Sequence, residues 1–271
     1  MEPQPSSHRR DVGVRPEGPA EVAEVADALN GLAAALARSE GRQRDFLLSI
    51  SHELRTPLTA VTGHAEALAD GVITGEDDTR AAGTVMLSEA QRLNRLVSDL
   101  LDLARLGADG FRIDLAPTDL TALVRGAEQV WRPRCAAEGI DLRLELPPAA
   151  LMIITDGGRV RQILDGLAEN ALRVVPRGEP IIFAAGPDPV YHGYAFLQVR
   201  DGGPGLTPED CAVAFERSTL YERYRGIRRV GTGLGLALVA GLAGALGGSA
   251  AAGRAPEGGA AFTIRLPYGS R

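Results

Sequence analysis

The chain of 271 residues carries 29 basic residues, all of them arginine, against 35 acidic residues, for a net charge of -6. Its length and its hydrophobic content of 45% predict a globular protein of two compact modules, and the negative charge argues against a nucleic-acid partner. Because there is no lysine, a Walker A lysine, the strand lysine of eukaryotic-type protein kinases and a Schiff base are all excluded.

Residues 1–20 are polar and rich in proline, and they contain no apolar core for a signal peptide. From Val22 to Leu36 apolar residues recur at alternating steps of three and four, the heptad pattern of a parallel coiled coil, in a phase that continues to Ile50. The alternative is a single amphipathic helix packed on its own domain, since few heptad positions support the coiled coil.

The apolar stripe slips by one residue at Ile50, and a turn is predicted over residues 71–78. A second helix is predicted from about Thr79 to Leu106. A two-helix hairpin cannot bury both of its stripes alone, so we expect dimerisation into a four-helix bundle. The stripe of the second helix consists of Met86, Ala90, Leu93, Val97, Leu100 and Ala104, widened by Leu96 and Leu103.

Short β-like runs and helical patterns alternate after Gly107, which predicts a mixed α/β domain. The uncharged stretch 230–253 imitates a membrane span, but its glycines favour a Gly-rich turn that enters a buried helix. We therefore expect a soluble chain with no membrane span, located in the cytoplasm or, if it is part of a longer membrane-anchored protein, at the cytoplasmic face of the membrane. The strands are predicted at 140–146, 151–155, 181–185, 196–200 and 262–266, and the helices near 119–138, 158–175 and 233–247.

His52 lies about 200° around the helix from the stripe position Ile50, so its side chain is expected to face solvent. Glu53 follows it, Thr56 lies one turn on, and Pro57 removes a helix hydrogen bond beside this polar cluster. The zinc motif His-Glu-x-x-His is excluded because its fifth position is Thr56. A nucleophilic histidine with Glu53 as its hydrogen-bond partner remains.

The segment from Phe46 to Leu68, with its string SHELRTP, resembles the phosphoacceptor box of bacterial sensor histidine kinases. The resemblance implies that His52 accepts the γ-phosphoryl group of ATP, with Glu53 as general base. It also implies that Thr56 positions water when the same protein dephosphorylates its partner.

The segment 159–176 resembles the N box of the Bergerat-type ATP fold. The resemblance implies that Asn170 coordinates a Mg²⁺ ion on the phosphates, that Arg173 contacts phosphate, and that Glu169 is a weaker metal ligand. Asp201, at a predicted strand end, can accept the adenine amine, and Gly203 and Gly205 allow the backbone close to the base. An ordinary glycine turn is the alternative.

A third box opens the predicted helix that runs to about Gly247, where backbone N–H groups can bind phosphate without a lysine. Before it, residues 215–230 hold five arginines, among them Arg228 and Arg229, against two glutamates, so a phosphate-binding lid is predicted. A solvated arginine-rich loop is the alternative. The binding residues of the third box are Gly231, Thr232, Gly233, Leu234 and Gly235.

The resemblance as a whole predicts an all-α hairpin that forms a dimeric four-helix bundle, followed by an α/β two-layer sandwich of the Bergerat type. The expected domains are a polar segment and HAMP-like linker helix (1–45), a dimerisation and phosphotransfer domain (46–107) and a catalytic ATP-binding domain (108–271). In-line transfer requires the last domain to move, so a hinge is predicted near residues 107–110.

The implied partners are a second copy of the chain and the receiver domain of a response regulator, and the implied cofactors are ATP and Mg²⁺. Gly166, Val174 and Ser218 depart from the family pattern at positions that bear on nucleotide affinity and lid closure. Two alternatives follow: a catalytically weak signalling scaffold with a degenerate ATP site, and an ATPase that only hydrolyses ATP.

Overall fold

The computed structural model describes residues 20–106, 111–216, 219–224 and 233–268. The chain divides into two units between His52 and Glu53. This division falls inside helix α1 (Ala20–Ala69), so each unit contains part of that helix. The predicted hinge near residues 107–110 lies outside the described residues.

The first unit contains the heptad segment of α1. The side chains of Val25, Leu29, Leu32 and Leu36 are each more than half exposed. This exposure fits side chains that meet a second helix, and the coiled coil stays a prediction beside its alternative, an amphipathic helix packed on its own domain.

The second unit begins with the rest of α1 and with α2 (Glu76–Leu106), joined by a turn in which Gly71 and Gly75 have positive φ angles. Helix α2 begins slightly earlier than expected, because its first turn carries three acidic side chains that interact favourably with the helix dipole. An ion pair of 3.3 Å between Arg92 Nη2 and Glu53 Oε2 joins the two helices. The chain thus forms the predicted helical hairpin.

The remainder of the second unit is an α/β sandwich. Its main sheet has the order β2-β4-β5-β7-β6, in which only the β2–β4 pair is parallel, and β1 pairs with β3 in a small antiparallel sheet. The strands are β1 (Ala116–Asp119), β2 (Asp141–Glu145), β3 (Met152–Thr155), β4 (Pro180–Pro187), β5 (Tyr194–Asp201), β6 (Ser249–Arg254) and β7 (Ala260–Pro267).

Helices pack against this sheet and enclose an aliphatic core in which Leu164, Leu167, Phe183, Leu197 and Ile264 are fully buried. The predicted fold class, a helical region followed by a two-layer α/β domain, is confirmed. The helices are α3 (Leu120–Ala137), α4 (Gly157–Val174), α5 (Pro208–Val213), α6 (Thr219–Tyr224) and α7 (Gly235–Ala245).

Helix α2 packs directly on the α/β domain. Its Leu96 and Leu103 are buried, and Leu106 lies so close to Gly241 of α7 that a Cβ there would meet its Cδ1 at 2.9 Å. The buried Asp102 accepts hydrogen bonds through Oδ2 from Gln162 Nε2 at 2.7 Å and Arg159 Nη1 at 3.3 Å. Apolar packing and a polar contact therefore hold the two parts together.

No helix in the described ranges is long and apolar enough to cross a membrane.

Candidate active site

A cavity of about 790 Å³ is bounded by α2, α4, α7 and the loop that follows β5. Its size falls in the range of pockets that hold small molecules and cofactors. One face of α4 supplies much of the wall of the cavity. The lining residues of α4 recur at steps of three and four, which places them on the same face of the helix. These are Gly158, Arg161, Gln162, Asp165, Gly166, Glu169, Asn170, Arg173 and Val174.

The sequence of α4 explains this orientation. Asp156 caps the helix by accepting a hydrogen bond from the backbone N–H of Arg159 at 3.1 Å. The opposite face carries Val160, Ile163 and Leu167, which are fully buried. Apolar burial on that face directs the polar face, with the predicted residues Glu169, Asn170 and Arg173, toward the cavity.

The charged side chains of α4 are engaged in ion pairs. Glu169 lies 2.9 Å from Arg134 Nη2 through Oε2 and 4.0 Å from Arg173 Nη2 through Oε1. Burial lowers the pKa of the Arg173 guanidinium, Glu169 opposes this, and Arg92 adds to it. Arg173 is therefore a half-buried cation with charged neighbours from α1, α2 and α4.

Asp201 ends β5 and is 1% exposed, yet it contributes to the cavity lining. Its Oδ1 accepts hydrogen bonds from the backbone N–H groups of Gly203 at 2.8 Å and Ala260 at 3.1 Å. A Cβ on Gly259, in the loop between β6 and β7, would collide with Oδ1, and Gly205, in the loop after β5, has a φ of 71°, so each of these loops needs glycine at that position. Gly205 lines the cavity, whereas Gly203 supports the carboxylate.

The third predicted box is described only from Gly233 onward. Gly233, with a φ of 70°, and Gly235 line the cavity at the start of α7, whereas the side chain of Leu234 is buried in the core. This arrangement places a helix N-terminus at the cavity. Ser218 lies outside the described residues. So do four predicted binding residues, which are Arg228, Arg229, Gly231 and Thr232.

The described part of the predicted lid is anchored by one carboxylate. Asp210 of α5 is completely buried and accepts hydrogen bonds from Arg223 and from the hydroxyl of Tyr224, both on α6. Burial, the largest single cause, raises the pKa of Asp210, but the hydrogen bonds from Tyr224, from the backbone N–H of Thr207 and from Arg223 together lower the pKa of this carboxyl below its ordinary value. Tyr224 itself lines the cavity.

On α1, His52 is exposed and Ile50 is buried, as the rotation between them predicts. Thr56 is also exposed, and the side chain of Glu53 is 12% exposed and paired with Arg92. Pro57 is buried within a helix that continues to Ala69. Arg92, which lines the cavity, thus links Glu53 to its edge.

Several cavity residues were not identified from the sequence. Arg92, Arg95, Leu96 and Asp99 lie on one face of α2, and only the packing of that helix on the α/β domain brings them to the cavity. Burial, and secondarily Asp102, raise the pKa of Asp99 to about 6, while Arg95 opposes the shift. The three-and-four spacing of these residues in the sequence indicates that they share one face of α2. It does not indicate which part of the chain that face packs against.

Trp131 of α3 is a further addition. Its Nε1 donates a hydrogen bond of 2.7 Å to Asp165 Oδ1 on α4, and the Arg134 guanidinium lies 4.1 Å from the ring centroid. Both Trp131 and Asp165 line the cavity.

Comparison with known proteins identifies two domains. A family model described as the His Kinase A (phospho-acceptor) domain matches residues 42–109. A second, described as the Histidine kinase-, DNA gyrase B-, and HSP90-like ATPase, matches residues 155–270.

Two curated relatives are sensor kinases. The signal transduction histidine-protein kinase BaeS of Escherichia coli (strain K12) is 33% identical over 255 residues, which cover 94% of this chain and 53% of BaeS. The sensor protein SrrB of Staphylococcus aureus (strain MRSA252) is 29% identical over 225 residues, which cover 83% of this chain and 38% of SrrB. The chain thus spans about half the length of these relatives, or less.

Two solved structures resemble the fold. The histidine kinase AdeS of Acinetobacter baumannii has a TM-score of 0.62 and 26% identity, with coverage of 81% of this chain and 98% of that chain. Full-length ShkA in complex with AMPPNP has a TM-score of 0.61 and 31% identity, with coverage of 83% and 46% respectively.

Fold, cavity and matched domains together define a protein that joins a phosphoacceptor hairpin to an ATP-binding domain. The chain belongs to the sensor histidine kinases, as the resemblance of its boxes predicted.

Proposed function

We propose that this chain is an ATP-dependent autokinase that phosphorylates its own His52. It then passes the phosphoryl group to an aspartate in the receiver domain of a response regulator, and it also acts as that regulator's phosphatase. The observation that carries the proposal is the single cavity lined by Asn170, Arg173 and Asp201, which belongs to a chain whose exposed His52 lies in the phosphoacceptor motif.

The residues of the cavity fit a nucleotide. The glycines around Asp201 leave room beside a buried carboxylate that can accept the adenine amine. Arg173 supplies positive charge, and the N-terminus of α7 supplies backbone N–H groups, both suited to phosphate. ShkA, in a similar fold, is in complex with AMPPNP, an ATP analogue.

Mg²⁺, when bound with the nucleotide, neutralises phosphate charge. The described residues contain no cluster of three or more His, Cys, Asp or Glu side chains suited to a metal ion. A metal ion would therefore depend on the phosphates and on the amide oxygen of Asn170. Glu169 would first have to release Arg134 and Arg173, which makes it the weaker ligand.

In the proposed reaction a ring nitrogen of His52 attacks the γ-phosphorus of ATP. The bond from that phosphorus to the bridging oxygen breaks, and ADP leaves. Glu53 accepts the proton from the other ring nitrogen, because the imidazole becomes positive as the new bond forms.

The proposed domains are the linker segment (1–45), the phosphotransfer hairpin (46–107) and the ATP-binding domain (108–271).

Incubation with γ-labelled ATP tests the proposal. We expect protein-bound label that survives alkali and is lost in acid, and we expect none in His52→Gln. His64→Gln, a change at a second histidine of α1, is the matched control and should retain the label. Stable label in His52→Gln would refute the assignment of the phosphoacceptor.

The alternative is a scaffold with a degenerate ATP site, favoured by Gly166 and Val174 on the cavity face of α4. Calorimetry with Mg-ATP discriminates the two functions. Binding supports the kinase, and absence of binding up to millimolar nucleotide supports the scaffold.

A further inference from the structure

Helix α2 contributes two arginines to the cavity that α4 and α7 also line. Arg92 and Arg95 lie one turn apart on the face of α2 that meets the α/β domain. Further along this face, Asp102 is bonded to α4 and Leu103 is buried, so the position of both arginines relative to α4 is fixed. The phosphoacceptor hairpin thus forms one wall of the cavity.

Arg173 of α4 lines the same cavity as Arg92 and Arg95 of α2. Burial lowers the pKa of the Arg173 guanidinium, Arg92 and Arg95 add to this effect, and Glu53 opposes it, so the charges of the three arginines act on one another. Arg92 is paired with Glu53 at 3.3 Å and with Glu89 at 3.6 Å, while Glu169 pairs with Arg173 at 4.0 Å.

Arg95 differs from its two neighbours. It makes no hydrogen bond or ion pair within the described part of the chain, although its charge affects the half-buried Asp99 one turn on. Its side chain is exposed at the cavity wall. An arginine in this position presents a planar set of N–H donors that matches the oxygens of a phosphate group.

We propose that Arg92 and Arg95 of the phosphoacceptor hairpin bind the terminal phosphate of the nucleotide held by α4 and α7. This inference rests on the proposed ATP site and adds a contribution to it from outside the ATP-binding domain. Adenine is assigned to Asp201 and the loop after β5, and Arg92 and Arg95 on the α2 wall supply positive charge suited to the phosphates. Arg92 would exchange its ion pair with Glu53 for one with the phosphate. Arg95, which has no ion pair with another described residue, would gain the phosphate as its partner.

The consequence is discrimination between triphosphate and diphosphate. A contact made only to the terminal phosphate strengthens binding of ATP and its analogues but leaves ADP binding unchanged. Loss of one charge-assisted hydrogen bond to that phosphate corresponds to at least about a tenfold change in affinity.

Calorimetry on the full chain, with Mg-AMPPNP and Mg-ADP as probes, tests this inference. We expect Arg95→Gln and Arg92→Gln each to weaken AMPPNP binding by about tenfold and to leave ADP binding within about twofold of the unmodified protein. Arg80→Gln is the matched control, because Arg80 lies on α2 but pairs with Glu76 and does not line the cavity.

Unchanged AMPPNP affinity in both α2 variants, or an equal loss of AMPPNP and ADP, would overturn the inference. Retained ADP binding also shows that a variant is folded. If the unmodified protein binds neither nucleotide, the proposed ATP site itself fails, and this result is distinct from the failure of the α2 contact alone.

Discussion

Asp201 is a carboxylate whose orientation is fixed by the backbone around it. Because Oδ1 accepts two backbone hydrogen bonds, an amide at this position would keep its oxygen there and place its NH2 group at the Oδ2 position. An NH2 group cannot accept a hydrogen bond from the adenine amine, because both groups are donors. We expect Asp201→Asn to weaken ADP and AMPPNP binding alike, by at least about tenfold, measured by calorimetry.

Asp188→Asn is the control for this change. Asp188 is also buried, and it pairs with Arg265 at 2.9 Å, but it does not line the cavity. The Asp188→Asn variant should therefore be less stable than the unmodified protein and keep its nucleotide affinity. If the Asp201→Asn variant and the unmodified protein bind ADP and AMPPNP with equal affinity, Asp201 does not recognise adenine.

Asp99 gives the protein a pH-dependent element of stability. Its folded pKa of about 6 lies above its ordinary value of 3.8, because burial and Asp102 disfavour the charged form. Between these values the folded protein binds more protons than the unfolded chain, so this group lowers stability as the pH rises from 3.8 to about 6.

Replacement of Asp99 by Asn removes the titrating group. Relative to the unmodified protein, the variant should melt at a higher temperature above pH 6, and the difference should shrink as the pH falls toward 4. Thermal melts between pH 4.5 and 7.5 measure this difference. A constant difference across the range would contradict the assignment.

The residues that could be predicted from the sequence belong to local motifs. Asn170 and Arg173 lie in a box that resembles the N box, and Asp201 ends a short apolar run that predicts a strand; all three line the cavity. Arg95 and Asp99 could not be predicted, because they reach the cavity only through packing between α2 and α7, segments far apart in sequence.

At the scale of elements, the long helices were predicted because their apolar residues are periodic. The strands β1 and β6 were not. Strand β1 has the sequence APTD, which contains a proline and no alternation, and β6 has the sequence SAAAGR at the end of an Ala- and Gly-rich stretch. Both exist because of their partners, β3 and β7, and tertiary pairing of this kind overrides local propensity.

The attachment of α2 to the α/β domain includes one buried carboxylate, Asp102, beside the apolar packing of its leucines. Asp102→Ala would remove the hydrogen bonds that Gln162 and Arg159 donate to this carboxylate, and with them the polar contact between α2 and α4. We expect faster hydrogen exchange over residues 96–106 in this variant, because loss of the contact permits α2 to open locally.

Asp77→Ala serves as the control, since Asp77 is an exposed residue at the start of α2. It should leave exchange over residues 96–106 unchanged. If Asp102→Ala and Asp77→Ala show the same exchange, apolar packing of Leu96, Leu103 and Leu106 is sufficient to hold the helix.

For the whole molecule, the heptad segment of α1 leads to a prediction of the assembly. Val25, Leu29, Leu32 and Leu36 are more than half exposed in the single chain, and a parallel partner helix would bury all four. Removing each such side chain from water contributes about 1.5–3 kcal/mol. We therefore expect a dimer in solution, stabilised by this segment as well as by the hairpin.

Leu32→Glu tests that expectation, because it places a charge in the predicted seam. The dimer dissociation constant measured by sedimentation should rise by at least about tenfold, since two carboxylates would face each other in an apolar interface. Ala34→Glu introduces the same charge two residues away, outside the heptad positions, and should leave the constant within about twofold. Equal effects of the two variants would show that the segment is a solvated helix rather than a dimer contact.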